Sequence, residues 1–128
     1  MTLLMDTNVF LWWVIDAPAL SSRARDEIAN PGNEILLSAA SGWEIAIKSA
    51  LGRLDLPAEP QVFVPEQLHH NNFGVLPVSL HHSLAVYSLP SHHRDPFDRL
   101  LIAQAKSEHI PLISGDEALA VYEVEIVW

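Results

Sequence analysis

Short apolar runs alternate with amphipathic stretches along this chain, and the alternation predicts its architecture. Strands are predicted at 3–5, 34–38, 75–78 and 111–114, with a fifth at 125–127. Helices are predicted at 8–14, from Ser21 or Ser22 to Asn30, and at 43–51, 65–71, 80–88, 95–106 and 117–120. The run at 34–38 is apolar without alternation, which is typical of a strand buried on both faces. Strand–helix alternation of this kind predicts an α/β domain with a mostly parallel central sheet.

The composition fits one globular domain and excludes several classes of site. The chain has 128 residues, of which 49% are hydrophobic and 18% charged, so it can bury a proper core. No internal repeat or linker interrupts it, and one domain over residues 1–128 is expected. There is no cysteine, which excludes a disulfide scaffold, a thiolate zinc site and a catalytic cysteine.

The beginning of the chain carries no sign of membrane insertion. Its first residues lack a basic segment, and the apolar run from Val9 to Ile15 is too short to span a bilayer and is flanked by Asp6 and Asp16. A cytoplasmic location is therefore the default expectation.

The charge balance argues against tight binding of nucleic acid by the chain alone. The formal net charge is −9, whereas phosphate binding usually relies on Lys and Arg. Divalent cations held by the acidic groups would reduce the effective charge, and a basic partner could cover the acidic surface. The bases Lys48, Arg53, Arg94 and Arg99 also lie close in sequence to two of the acids considered next.

Four acids fall where the predicted sheet would bind a ligand, beyond the carboxyl ends of its strands. Each follows a strand or opens a helix: Asp6, Glu44, Asp98 and Asp116. If they converge, their oxygens suit Mg²⁺, a hard cation that can activate water and stabilise charge on a phosphodiester. Without metal, such carboxylates repel one another, and some of their pKa values should rise.

Each acid also has a purely structural interpretation. Glu44 follows Ser41 at the spacing of a capping box, and Asp98 falls in a first helical turn, where the helix dipole favours negative charge. Asp6 and Asp116 could cap the first and last helices. The two interpretations are compatible, because a helix N-terminus keeps a carboxylate in the ionised state that a metal needs.

Five segments carry a resemblance to a known family: 4–8 (Leu-Met-Asp-Thr-Asn), 41–45, 94–105 (which contains Asp-Pro-Phe-Asp-Arg), 112–116 and 124–128. Together they resemble a PIN-domain protein of the VapC-type toxin group, over essentially the whole chain. The segment around Asp-Pro-Phe-Asp-Arg is the most specific part.

The resemblance implies a three-layer α/β/α fold and Mg²⁺-dependent endonucleolytic cleavage of RNA, with Mn²⁺ as a substitute. A metal-activated water would attack phosphorus and leave 5′-phosphate and 3′-hydroxyl ends. The family's acidic cluster maps onto Asp6, Glu44, Asp98 and Asp116, which would act as metal ligands and catalytic residues. Asn8 and Ser114 match polar supporting positions. The resemblance also implies a homodimer and neutralisation by a cognate antitoxin.

Several other residues have open roles at this stage. Arg99 either binds phosphate or a carboxylate, or forms a structural ion pair. Asp95 is a rival for Asp98 but precedes Pro96 and fits an N-cap. Trp12 and Trp13 cannot face one core from one helix, which predicts an interface aromatic or, alternatively, a broad packing seam.

The remaining side chains point to no stronger site. Three adjacent histidine pairs, at 69–70, 81–82 and 92–93, diverge too far on a helix to chelate zinc together. Lys48 lies one turn beyond Glu44, as an i,i+4 ion pair would require. The loop Ser114-Gly115-Asp116 is expected to be flexible.

Two other functions remain as alternatives. The chain could be a non-catalytic or housekeeping PIN-like module that processes RNA or acts by association, which its acidic charge favours slightly. A Mg²⁺-dependent phosphatase or receiver-like domain is less favoured, because Asn8 stands where such sites carry a second Asp.

Overall fold

A computed structural model describes residues 1–92 and 95–128 as a five-stranded sheet covered by helices on both faces. The strands are β1 (Thr2–Met5), β2 (Glu34–Ser38), β3 (Gly74–Leu76), β4 (Leu112–Ile113) and β5 (Ile126–Val127). Their order is β3-β2-β1-β4-β5, and each neighbouring pair is parallel. The predicted α/β class with a parallel central sheet is confirmed.

Successive side chains of the strands pack alternately in two separate hydrophobic cores. Leu3 and Met5 of β1 join one cluster, whereas Leu4 between them joins the other. Ile35 and Leu37 of β2 repeat the division, with Leu36 packed against the second cluster. Since successive strand residues point to opposite faces, a strand that is apolar throughout must be covered on both sides. This accounts for the non-alternating run that the sequence shows at β2.

The helices form the outer two layers. They are α1 (Thr7–Val14), α2 (Ser22–Ala29), α3 (Ala39–Ala50), α4 (Pro60–Asn71), α5 (Leu80–Ala85) and α6 (Pro96–Glu108), with 3-10 segments at Val86–Ser88 and Glu117–Tyr122. Residues of α1, α2, α3 and α4 pack on the first core, and residues of α5 and α6 on the second. No helix in the described part of the chain has the length and apolar character needed to cross a membrane.

The order of the strands creates a crevice at one edge of the sheet. β1 pairs with β2 on one side and β4 on the other, so the chain adds β2 and β3 on one side of β1 and then crosses over to add β4 and β5 on the other. The carboxyl ends of β1 and β4 therefore form a topological switch point, the usual ligand position in such sheets. The backbone N–H of Asp6 donates to the carbonyl of Ile113 at 3.0 Å, which places the residues after both strands side by side.

The boundaries of α3 differ from the prediction in a way that matters for the site. The helix begins at Ala39, four residues early, because the Ser38 hydroxyl accepts from the Ala40 N–H at 3.0 Å and acts as N-cap. Glu44 consequently lies in the second turn rather than the first. The predicted capping box between Ser41 and Glu44 is wrong, since Ser41 is a buried residue inside the helix.

Prolines account for the other boundary differences. Helix α4 begins at Pro60 rather than at 65, because a proline without an N–H is well suited to a first turn. Pro65 then lies inside the helix. Strand β3 ends before Pro77, which cannot donate to a ladder. Asp95 is the N-cap of α6, as predicted: its carboxylate accepts from the N–H of Phe97 at 2.9 Å.

Trp12 and Trp13 lie in a packing seam, and neither is exposed. The ring of Trp12 packs on Trp128 at a centroid distance of 5.8 Å, and the ring of Trp13 packs on Phe73 at 6.2 Å. The Trp13 indole N–H also donates to Asn71 at 3.0 Å. These contacts support the alternative of a broad packing seam, and the interface interpretation of the pair stays a prediction.

Candidate active site

Asp6 lies at the centre of the switch point. It caps α1, where one carboxylate oxygen accepts from the Val9 N–H at 2.7 Å, and it is buried, with 7% of its surface exposed. Burial raises the pKa of Asp6 to about 6, and the negative charges of Asp98 and Glu44 add to the increase. Hydrogen bonds from the Ser114 hydroxyl and the Val9 N–H oppose it only in part.

The electrostatic contacts of Asp6 bring residues from three parts of the chain together. Asp98 is half-buried in the first turn of α6, and Glu44 is buried in α3. Both are close enough to disfavour the ionised form of Asp6. Three of the four predicted acids thus lie within electrostatic range of one another around Asp6.

Glu44 is held by two specific partners. Its Oε1 lies 2.6 Å from the Thr7 hydroxyl, and its Oε2 lies 2.6 Å from the Lys48 ammonium. The Thr7 oxygen is also 2.9 Å from the Ser41 hydroxyl. Because an ionised carboxylate only accepts, Thr7 donates its one proton to Glu44 and accepts from Ser41. Thr7 and Ser41 were not predicted as site residues. They could have been found because they lie in the same sequence segments as Asp6 and Glu44, 4–8 and 41–45.

Asp116 lies at the same edge of the sheet but on its exposed rim. It caps the last 3-10 segment, with its carboxylate accepting from the Ala118 N–H at 3.0 Å. Its backbone N–H donates to the Ser114 hydroxyl at 3.1 Å, and that same hydroxyl interacts with Asp6. Buried Ser114 therefore connects the Asp116 loop to the centre of the site.

Gly115 packs closely against a neighbouring side chain and does not make this loop flexible. A Cβ added at Gly115 would lie 2.8 Å from the ring of Trp128, which itself packs on Trp12. The absence of a side chain allows the backbone to lie against the ring. The predicted flexibility of the loop Ser114-Gly115-Asp116 thus finds no support in its packing.

A buried polar link joins the helices that carry Glu44 and Asp98. The Gln104 side chain, on α6, accepts from the Ser38 hydroxyl at 2.6 Å and donates to the Pro77 carbonyl at 3.2 Å. Gln104 is fully buried, and Ser38 is the N-cap of α3. This link was not predicted from the sequence. The feature that could have revealed it is the amide of Gln104 within the apolar stretch 101–105.

The carboxylate oxygens of the site suit a hard cation, but they are not arranged as a coordination shell. Within residues 1–92 and 95–128, no three His, Asp or Glu side chains are grouped so as to hold a metal ion. Carboxylate oxygens are the ligands that Mg²⁺ prefers, and the charges of Asp98 and Glu44 act on Asp6. Asp6, Asp98 and Glu44 would be its ligands, with Asp116 approaching from the rim.

Arg99 and Asn8 were predicted to support the site, and the structure shows the surroundings of each. The Arg99 guanidinium donates to the carbonyls of Pro90, Val86 and Leu89 at 2.7–3.3 Å, which braces the segment before α6. These contacts favour a structural role over phosphate binding. Asn8 is exposed in the first turn of α1.

The histidine pairs have separate environments. His69 and His70 are exposed at the end of α4, whereas His82 is buried, and its Nε2 lies 2.9 Å from Glu108. The ring of His92 packs on Tyr122 at 5.6 Å. His93 of the third pair and Arg94, one of the bases close in sequence to the acids, lie outside the described residues.

Comparison with known proteins identifies relatives over the full length of the fold. A family model for the PIN domain matches residues 3–125. Ribonuclease VapC22 of Mycobacterium tuberculosis is 31% identical over 120 residues, 92% of this chain and 89% of the relative. Ribonuclease VapC16 of the same organism is 39% identical over 70 residues, 52% of this chain. That match spans about half the length of the relative, 48%.

Solved structures share the architecture at low sequence identity. The VapBC2 structure from Rickettsia felis, bound to a promoter DNA fragment, contains a chain that matches with a TM-score of 0.74 and 14% identity, covering 98% of this chain and 97% of that one. A toxin–antitoxin complex from Klebsiella pneumoniae gives a TM-score of 0.53 at 19% identity, with 88% and 85% covered. At these identities the likeness concerns the fold.

Proposed function

Because this chain belongs to the PIN domain family, we propose that it is a metal-dependent endoribonuclease and the cytoplasmic toxin of a toxin–antitoxin pair. One observation carries the catalytic part: Asp6, Glu44 and Asp98, remote in sequence, converge at the switch point of the sheet. The VapC ribonucleases among its relatives support RNA as the substrate.

Mg²⁺, or Mn²⁺ in its place, is the proposed cofactor. When bound, it would lower the pKa of a water ligand and stabilise charge on the phosphodiester under attack. Asp6 and Asp98 would hold it, Glu44 would hold it or orient the water, and Asp116 would complete the site from the rim. Thr7 and Ser114 orient the carboxylates of Glu44 and Asp6 through the hydrogen bonds described above.

The acidic surface supports a basic protein partner. A net charge of −9 disfavours free association with RNA but favours a cationic segment that covers the site. The VapBC and toxin–antitoxin complexes among the similar structures point in the same direction. We therefore propose a cognate antitoxin as the partner.

A second copy of the chain is the other proposed partner. Leu80, Leu84 and Tyr87 are exposed by 74%, 65% and 95%, and they follow one another at helical spacing along α5 and the 3-10 turn after it. An exposed apolar stripe of this kind is typical of an interface. We assign this stripe, called the α5 stripe below, to the homodimer.

Cleavage of single-stranded RNA by the purified, antitoxin-free chain tests the catalytic proposal. We expect cleavage with Mg²⁺ or Mn²⁺ and none with EDTA. Replacing Asp98→Asn should reduce kcat/KM about 100-fold or more, since even residues that merely orient metal ligands contribute 10- to 100-fold. Asp95→Asn is the matched control one turn away: asparagine is as good an N-cap as aspartate, so its activity should stay near wild type.

Activity that persists in EDTA, or an Asp98→Asn variant as active as Asp95→Asn, would contradict the proposal. A chain that binds RNA without cutting it in any divalent metal would favour the alternative of a non-catalytic PIN-like module.

A further inference from the structure

An apolar cavity of about 280 Å³ lies at the surface beside the α5 stripe. Its wall comes from α3, from α5 with the 3-10 turn after it, and from α6: Trp43, Ser83, Val86, Pro96, Phe97 and Leu100. The rings of Trp43 and Phe97 pack edge to face at a centroid distance of 5.3 Å, yet Trp43 remains 63% exposed. All six of these described residues are uncharged. The cavity therefore suits an apolar or aromatic side chain.

Tyr87 is the most exposed large hydrophobic side chain in the described part of the molecule. It is 95% exposed, so it does not fill the cavity of its own chain. It follows Ser83, a residue of the cavity wall, by four positions. Residues four apart on a helical segment lie on the same face. An exposed aromatic ring and an apolar cavity thus lie side by side on one surface.

A two-fold symmetric contact would bring these two features together. When residue i of one copy contacts residue j of the other in such a dimer, j also contacts i. With the axis between Ser83 and Tyr87, the Tyr87 side chain of each copy can enter the cavity of the other. Ser83 donates its proton to the Ser79 carbonyl at 3.2 Å, so its oxygen can accept from the hydroxyl of a buried tyrosine.

The distribution of charge favours a second copy of the chain as the occupant. The stretch 67–93, which includes the α5 stripe and part of the cavity wall, contains no Asp, Glu, Lys or Arg, whereas 18% of the whole chain is charged. A net charge of −9 makes two copies repel, but this face can meet itself without bringing like charges together. A basic partner, in contrast, finds no carboxylate among the residues that line the cavity.

We propose that the homodimer forms by reciprocal insertion of Tyr87 into the cavity beside Trp43 and Phe97 of the second copy. This inference rests on the homodimer proposed above. Tyrosine and tryptophan dominate many interfaces, and paired rings add to the free energy of area burial. The contact extends the interface from α5 to α3 and α6, the helices that carry Glu44 and Asp98.

The first test measures the dimer Kd by sedimentation equilibrium, without metal or RNA. Tyr87→Ala should raise the Kd about 100-fold or more, because each dimer loses two aromatic contacts. Ile15→Ala is the matched control, since Ile15 is 70% exposed but lies at the end of α1, and its Kd should equal that of wild type. A Tyr87→Ala variant with the wild-type Kd would overturn the proposal.

The second test mixes two variants that should each be monomeric. Ser83→Arg places a large charged side chain in the cavity, and Trp43→Arg does so from another exposed wall position. When either is mixed with Tyr87→Ala, the intact Tyr87 of one chain meets the intact cavity of the other. We expect heterodimers about tenfold or more tighter than either variant's homodimer, since one of the two contacts is restored. Native mass spectrometry identifies them by mass.

The outcomes separate this proposal from those before it. Mixtures that stay monomeric, although the variants keep the wild-type Tm, would overturn the reciprocal contact. A wild-type chain that is monomeric would contradict both the homodimer and the contact, whereas a dimer that Tyr87→Ala leaves unchanged would contradict the contact alone. Variants that complement each other in a protein that cleaves no RNA would contradict only the ribonuclease assignment.

Discussion

Asp6 combines two roles that pull its protonation in opposite directions. As the N-cap of α1 it is best ionised, and its hydrogen bonds with Val9 and Ser114 favour that form. Its burial between two other acids favours the neutral form and prevails, so its pKa is about 6. Without a cation, the ionised site is therefore strained at neutral pH.

Replacing Asp6→Asn should stabilise the metal-free protein at high pH. The pKa of Asp6 is raised in the folded state above its ordinary value of 3.8, so its contribution to stability is fully present below pH 3.8 and is lost as the pH rises through 6. The loss amounts to at most about 3 kcal/mol. Asparagine keeps the cap without the charge. Urea unfolding in EDTA should show a gain for Asp6→Asn at pH 8 that shrinks towards pH 4.

The comparison between variant and wild type cancels the titration of the other acids. A stability difference that stays the same from pH 4 to pH 8 would show that the Asp6 carboxylate titrates normally, and the electrostatic description of the site would then be wrong.

Residue by residue, the sequence predicted where the four acids lie in their elements but not the groups that hold them. Asp6, Asp98 and Asp116 were placed next to strand ends and helix starts by local pattern. The hydrogen bond from Thr7 to Glu44 spans 37 residues, and that from Ser38 to Gln104 spans 66. Such contacts depend on which strands become neighbours, and periodicity in a single sequence does not contain that information.

Elements were predicted most accurately where their ends carry local chemical signals. Asp95 and Pro96 predicted the start of α6, and Ser21, one of the two serines considered, is the cap of α2. The start of α3 was missed because Ser38 ends a strand and caps a helix at once, so the pattern changes without an intervening turn. Two-residue strands such as β4 also lie below the length at which alternation can be recognised.

Two glycine-to-alanine substitutions should have opposite effects on stability. Gly115→Ala places a methyl group 2.8 Å from the Trp128 ring, and overpacking of this kind costs about 1–3 kcal/mol. Gly42→Ala lies within α3 with no atom near the added Cβ, and should gain about 0.5–1 kcal/mol from helix propensity. Urea unfolding of both variants at pH 7 measures the difference.

A Gly115→Ala variant as stable as wild type would mean that the loop can move away from Trp128. The close packing of the loop that carries Ser114 and Asp116 would then be refuted.

For the whole molecule, the sequence predicted the α/β class and the parallel sheet but not the order β3-β2-β1-β4-β5. Within that order, β1 in the centre brings Asp6 within electrostatic range of acids from α3 and α6. The apolar surface was not predicted: the tryptophan pair considered for an interface is partly buried in a packing seam, whereas Leu80, Leu84 and Tyr87 of the α5 stripe are exposed.

The α5 stripe should control the oligomeric state. Leu84→Lys adds a charge to a side chain that is 65% exposed, so it should convert the proposed dimer into a monomer without unfolding it. Ile15→Lys is the matched control, because Ile15 is 70% exposed at the end of α1, outside the stripe. Sedimentation velocity of the antitoxin-free chain at tens of micromolar would separate the two forms.

A wild-type chain that sediments as a monomer would contradict the homodimer. A Leu84→Lys variant that remains dimeric would place the interface elsewhere.

The bond between Ser38 and Gln104 has a consequence for how the site adapts to its contents. It ties the beginning of α3 to the middle of α6, so the backbones beneath Glu44 and Asp98 shift together or not at all. Asp116, on the exposed rim, belongs to neither helix. Ions of different radius or substrates of different bulk would thus meet Glu44 and Asp98 at a fixed spacing, and the position of Asp116 would adjust to them.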